Sequence, residues 1–473
     1  MAQQHLERLS AIDASFLANE GPTSHMHVGA VVILEGPPPS FDEFLDGLRA
    51  RLHLVPRYRQ KLAEHPGGRP LWIDDPDFNL EYHVRQTALP QPGTETQLMR
   101  LAARIMSQQL DRTKPLWEVW LIEGLSGDRL AMISKTHHAL IDGVSGVDLA
   151  TVMFDLEPTP RDLGEETAGL VPWAPAPEPS AAELVAGGVT GLARTGLGLA
   201  AGALAALTRP QETLAQARDA AEGLGEIVWA GLNPAPPTPL NVEIGPHRRF
   251  AGVRCELADF KRVKDAFGGT VNDVVLTVVS GALREWLGDR GVRTEGLEMR
   301  ALVPVSIRAE HEHGQLGNRI AAMRAPLPVY VDDPVARLAV VREAMDGLKE
   351  SKQAVGAEVL AGVQNFAPPT ILAQAARVNF STRLFNLIVT NVPGPQFPLY
   401  VRGREMVDVF PVAFLPKDHG LAIAIMSYNG GLNFGLLGDF DAMPDIDRFA
   451  EGLTAALDEL VALAGRERAG ATA

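Results

Sequence analysis

The stretch Lys135-Thr136-His137-His138-Ala139-Leu140-Ile141-Asp142-Gly143 follows an apolar run, Leu130 to Thr136, that reads as a strand. It therefore stands where a strand should give way to a helix. Side chains alternate between faces along an extended chain, so His137 and His138 point to opposite sides and only one looks into a given pocket. Gly143 permits backbone conformations closed to other residues, and Asp142 beside it has a short carboxylate able to turn back onto its own loop. An imidazole held there suits proton transfer, because its unperturbed pKa lies near neutrality and one ring can accept a proton and then return it. The bland alternative is a pair of strand-end histidines satisfied by backbone partners.

Working outward from this stretch, Trp117 to Ile122 and Leu130 to Thr136 read as two strands of a hairpin turning near Gly127, and His27 to Leu34 as another strand. Ser40 and Glu43 form a capping-box pattern ahead of Phe41, Phe44, Leu45, Leu48 and Leu52, which recur at helical spacing until Pro56. Thr94 to Leu110 reads as a second helix. From about Glu157 to Pro246 the character changes to Pro/Ala-rich and then Ala/Gly-rich sequence, the mark of a connector. Beyond it the alternation resumes, with strands at Phe250 to Cys255 and Met299 to Val305, and helices at Asn272 to Leu287 and Pro334 to Glu350. Asn391 to Pro395 reads as a rigid turn. Asn429-Gly430-Gly431 predicts a hairpin between Leu421 to Tyr428 and Leu432 to Leu437, with a closing helix from Ile446 to Ala464. The expected division is a lobe over 1–160, a helical connector over 161–246 and a second lobe over 247–473.

Composition narrows the function classes. With 473 residues there is room for two domains with real cores. A formal charge of -15 and the lack of a long basic run argue against nucleic acid as a partner. Cys255, the single cysteine, allows no intramolecular disulfide and no cysteine metal cluster. The spaced pairs His25/His27 and His311/His313 lack the further ligand of a zinc motif, so no metal is expected. There is no phosphate-loop Gly-Lys-Ser/Thr and no Gly-x-Ser-x-Gly elbow. Met1 to Asn19 carries Glu7 and Asp13 and does not read as a secretory signal, so a cytoplasmic protein is expected. The apolar Val185 to Leu207 is built from Gly and Ala and contains Arg194, which suits a surface patch or helices packed on the seam between lobes better than a membrane span.

His137-His138-Ala139-Leu140-Ile141-Asp142-Gly143 resembles the His-His-x-x-x-Asp-Gly signature of coenzyme A-dependent acyltransferases, which include chloramphenicol acetyltransferases and peptide-synthetase condensation domains. Further matches are Met26-His27-Val28-Gly29, Asp74-Asp75-Pro76-Asp77-Phe78, Pro115-Leu116-Trp117-Glu118, Val271-Asn272-Asp273, Pro304-Val305-Ser306-Ile307-Arg308 and Asn391-Val392-Pro393-Gly394-Pro395. Together they resemble the bacterial wax ester synthase/diacylglycerol acyltransferase family. The Ala/Gly-rich connector is the least family-like part.

The resemblance implies an α/β fold of two chloramphenicol-acetyltransferase-like lobes with mixed sheets, joined by the long helical connector. It implies transfer of a long-chain acyl group from acyl-CoA, a substrate and not a cofactor, to diacylglycerol or a long-chain fatty alcohol. His138 would be the general base, Asn272 the oxyanion donor, and His137, Asp142 and Gly143 structural, with Arg308 the partner of Asp142. No covalent acyl-enzyme is required. Arg57, Arg59 and Lys61 form a basic cluster suited either to coenzyme A phosphates or to solvent. Trp117 reads as a packing residue. Insoluble products imply peripheral attachment to the inner membrane face or to lipid droplets. Two other readings stay open: an acyltransferase of the same fold with another alcohol or a carrier-bound donor, and a non-catalytic lipid-binding homologue.

Overall fold

His27–Glu35 is the central strand of a six-stranded sheet, hydrogen-bonded on one side to Arg129–His137 and on the other to Arg404–Val412. The computed structural model describes residues 7–64, 69–140, 152–160, 162–180, 233–306, 320–350 and 380–471. Val31, Ile33 and Leu34 are fully buried, which explains why this strand shows almost no apolar/polar alternation: both of its faces are covered. Trp117–Leu125 and the short Val84–Ala88 strand complete one edge, the latter pairing parallel, and Tyr400–Val401 completes the other. The Trp117 and Arg129 strands form the expected hairpin, its turn made by Asp128 and Gly127 at φ +53° and +83°.

The helices start where their caps predict. Ser40 Oγ accepts from the Glu43 amide ahead of Phe41–Arg51, whose buried Phe44, Leu45 and Leu48 lie on one face. Glu95–Met106 is capped by a reciprocal Thr94/Gln97 box.

The second lobe is another six-stranded mixed sheet, in the order Ile320–Leu327, Met299–Ser306, Leu387–Pro393, Leu421–Tyr428, Gly431–Asp439, Arg248–Val253. Leu387–Pro393 runs parallel to both of its neighbours and the other pairings are antiparallel. Residues 391–393, expected as part of a turn, instead continue this strand: Asn391 pairs with Ile425 and Pro393 with Ser427. Proline is tolerated there because it is the strand's last residue.

Alternation along these strands decides what each face touches. Ala301, Val303, Leu387, Val389, Ile423 and Ile425 join the core under the helices Leu257–Phe267, Val271–Asp289, Pro334–Glu350 and Ile446–Ala471. Leu302, Ile388, Ala422 and Ala424 point the other way and belong to the core of the first lobe. The seam is therefore a packed apolar layer.

Between its two parallel strands the chain leaves the second sheet, contributes Arg404–Val412 to the first, and returns. The crossing requires close approach: a Cβ at Gly435 would lie 1.7 Å from the Pro411 carbonyl oxygen. Among the described residues, no single helix is long and apolar enough to cross a membrane. The segment Val185 to Leu207 lies outside the described residues.

Candidate active site

Pairing of the two inner strands of the first lobe places His27 directly opposite His137. His137 ends its strand and His138 opens a 3-10 turn, His138–Leu140. The His138 amide donates to the Met26 carbonyl at 2.9 Å, and Met26 itself adopts a left-handed conformation, φ +50°. The reversal of direction sends the two imidazoles into different surroundings.

His138 enters an aromatic box. Its ring stacks on Phe16 with centroids 4.0 Å apart and meets the edge of Phe414 at 5.5 Å, while Phe380 packs on both of those rings. Phe16 is carried by the helix Ala11–Asn19, capped by Ser10, and this helix was not read from the sequence. Burial lowers the His138 pKa to about 4, opposed by the ring's own main-chain carbonyl. Its buried Nδ1 has no hydrogen-bond partner among the described residues. The environment therefore keeps the ring neutral at physiological pH, in the form that accepts a proton.

His137 is fully buried, and its Nδ1 accepts from the Ala139 amide at 3.0 Å. Burial, then the neighbouring His138 and Arg112, lowers its pKa to about 3. Its Nε2 faces Glu20 at 3.7 Å. Glu20 also lies 3.7 Å from His27 Nε2, so a buried carboxyl joins the two facing strands beside the base. Sequence reading missed Glu20; the signal was its place between Phe16 and the Met26-His27 segment, each of which touches a motif histidine. His25 and His27 are used locally: His25 Nε2 bonds the Pro22 carbonyl and His27 Nε2 accepts from the Leu110 amide.

Asn272 is the second residue of Val271–Asp289. The cap is Thr270, whose hydroxyl accepts from the Asp273 amide while the Asp273 carboxylate accepts from the Thr270 amide. Asn272 is therefore not needed to cap, and its amide bonds no other described residue. No hydrogen bond or ring contact joins it to His138 among the described residues; the helix belongs to the second core and His138 to the first. Asp142, Gly143 and Arg308 lie outside the described residues.

The cluster of Arg57, Arg59 and Lys61 is engaged by residues of the first lobe and of the connector. Arg57 bonds Glu7 and lies 5.0 Å over Trp72. Arg59 lies 4.6 Å over Trp173, and Lys61 pairs with Glu178 at 3.1 Å and Asp75 at 3.5 Å. Trp117 is buried: its indole donates to the Tyr58 carbonyl at 2.8 Å and stacks on His83. Cys255, its thiol pushed up to about 12 by burial and then by Asp458, is chemically inert.

Comparison with known proteins places the chain in a family. The wax ester synthase/diacylglycerol acyltransferase catalytic domain matches residues 9–275, and the C-terminal domain of the same enzymes matches residues 316–461. A probable diacylglycerol O-acyltransferase of Mycobacterium tuberculosis H37Rv, tgs1, is 33% identical over 469 residues, covering 98% of this chain and 97% of its own. A second from the same strain, tgs2, is 34% identical over 464 residues, covering 95% and 97%. Among solved structures, the wax ester synthase/diacylglycerol acyltransferase from Marinobacter aquaeolei VT8 superposes with a TM-score of 0.67 at 28% identity, over 97% of this chain and 100% of that one. The starter condensation domain of rhizomide synthetase shares the fold at 14% identity, with a TM-score of 0.58 over 98% and 95% of the two chains. The two-lobed chain is an acyltransferase and belongs to the wax ester synthase/diacylglycerol acyltransferase family.

Proposed function

We propose that this chain moves a long-chain acyl group from acyl-CoA to diacylglycerol, to a long-chain fatty alcohol, or to both, with His138 as general base. His138 Nε2 takes the proton of the acceptor hydroxyl as its oxygen attacks the thioester carbonyl carbon. The new C–O bond gives a tetrahedral oxyanion, which collapses with cleavage of the C–S bond, and the imidazolium returns its proton to the departing thiolate. No acyl-enzyme forms. Asn272 donates its amide to the oxyanion, an interaction worth about 3 kcal/mol where such donors have been removed. Asp142 and Arg308 pair to hold the loop after His138.

The observation that carries this reading is the box around His138. A neutral imidazole with one face stacked on Phe16 and Phe414 set perpendicular beside it is a base in apolar surroundings, where a lipid hydroxyl and an acyl chain are at home. Work on insoluble products requires a lipid surface, so the protein attaches peripherally to the inner membrane face or to lipid droplets. The test is product analysis with labelled palmitoyl-CoA and competing diacylglycerol and hexadecanol, run beside His138→Ala. Labelled ester is expected from the wild type and little from the variant. Near-normal turnover in a folded variant would remove His138 from its role.

A further inference from the structure

Glu20 lies just beyond the Ala11–Asn19 helix, and its side chain is only 3% exposed. Oε1 is 3.7 Å from His27 Nε2, and Oε2 is 3.7 Å from both His137 Nε2 and Arg112 Nη1. Oε2 and His137 Nε2 are buried and neither has a hydrogen-bond partner, although each can supply what the other lacks. The tautomer of His137 follows from its other nitrogen: Nδ1 accepts from the Ala139 amide, so in the neutral ring the proton sits on Nε2 and faces the carboxyl. A shift of roughly 0.7 Å closes this approach to hydrogen-bond range. Glu20 is tied to the site a second way, because its amide donates to the Phe16 carbonyl and so caps the helix whose Phe16 ring stacks on His138.

We propose that Glu20 is a positioning residue: by accepting a hydrogen bond from His137 Nε2 it fixes the ring whose Nδ1 holds the Ala139 amide, and with it the turn that presents His138. The proposal deepens the acyl-transfer reading and rests on it. The groups facing Glu20 come from several elements: His25 and His27 from the segment that follows it, His137 opposite, and Arg112 at the rim. Lys135 and Arg248 lie close by and are held by Glu118 at 2.6 Å and Asp439 at 3.9 Å. Burial pushes the Glu20 carboxyl up to about 7, against the pull of Arg112. Above that pH it is the stronger, charged acceptor; below it, protonation weakens the hold on His137. His138, lowered to about 4, is neutral throughout this range, so an acid limb near pH 7 belongs to Glu20 and one near pH 4 to the base.

The experiment uses the full chain with palmitoyl-CoA and dioleoylglycerol in detergent, and compares wild type with Glu20→Gln and Glu20→Ala. Glu20→Gln removes the ionisation and keeps the shape; kcat is expected to fall about tenfold with KM changed less than about twofold, and the limb near pH 7 to vanish while the lower one stays. In protein labelled with 15N-histidine, the His137 Nε2–H resonance reports the hydrogen bond to Glu20 directly, and Glu20→Ala is expected to shift it while the Nε2–H tautomer, set by the Ala139 amide, persists. Unchanged kcat or a persisting limb near pH 7 in Glu20→Gln overturns the proposal, as does an unmoved His137 Nε2–H resonance in Glu20→Ala. Should Glu20→Ala not fold, the near-isosteric Gln variant decides the matter. Absence of transfer by the wild type would instead defeat the acyl-transfer reading, while the ring shifts still decide Glu20.

Discussion

The two lobes have sheets of equal size, and the first gathers unpartnered polar groups at one strand end. In the second lobe the helix Val271–Asp289 buries Val274, Val275, Val278, Val279 and Leu283 against strands that are apolar on both faces. Its polar interior is answered locally: Thr277 and Ser280 donate to carbonyls four residues back. The first lobe buries Glu20, His27, Lys135 and His137 together, and atoms of Glu20, His27 and His137 have no partner. Buried polar groups destabilise unless paired, so their crowding behind one strand end marks where folding yields to chemistry. On the proposed reading the second lobe is a wall, and the first holds the reacting base.

If that contrast is right, the largest effect belongs to the base. His138→Ala should lower ester formation by about 10² to 10⁴, measured as initial rate at saturating acyl-CoA, with the thermal midpoint nearly unmoved. The next effect falls on stability in the same lobe. Lys135 is fully buried, donating to Glu118 at 2.6 Å and to the Ile105 carbonyl at 3.0 Å, and burial lowers its pKa against the support of Glu118. Glu118→Ala leaves that ammonium without a counter-charge and should cost about 3–5 kcal/mol by urea denaturation. A loss below about 1 kcal/mol would mean that Lys135 reaches water, and the contrast between the lobes would weaken.

Much of this was legible, and what escaped did so for physical reasons. The Trp117/Arg129 hairpin, the Ser40-capped helix, Pro334–Glu350 and the Leu421/Gly431 hairpin follow from periodicity and turn chemistry, which are local. Arg404–Val412 escaped because its partner, His27–Glu35, lies far back in the chain, and no local pattern reports a strand that crosses to the other lobe. Asn391–Pro395 read as a turn because Asn, Pro and Gly dominate it; tertiary pairing of Asn391–Pro393 with Ile425–Ser427 overrides that propensity. His138 was found through its motif, whereas Phe16, Phe380 and Phe414 were not, since a box assembled from three distant segments has no sequence period. Glu20 escaped for the same reason.

The smallest effects test the wall. Asn272 and Thr270 are two residues apart, yet the capping pattern assigns them different work. Asn272→Ala should lower kcat by about 10² to 10³ if the amide meets the oxyanion, and it should leave stability unchanged because it caps nothing. Thr270→Ala breaks the reciprocal box with Asp273, leaving the Asp273 amide without the hydroxyl. It should cost about 1 kcal/mol in urea, with kcat altered only as far as the helix start frays. Both variants are read by the same two measurements, rate and denaturation midpoint. If Asn272→Ala lowered the midpoint as much as Thr270→Ala, Asn272 would be part of the helix terminus and the second lobe would contribute packing alone. A rate lost at constant midpoint would mean that the wall supplies one polar atom to the reaction, at the single helix start where its sequence turns from valine to asparagine.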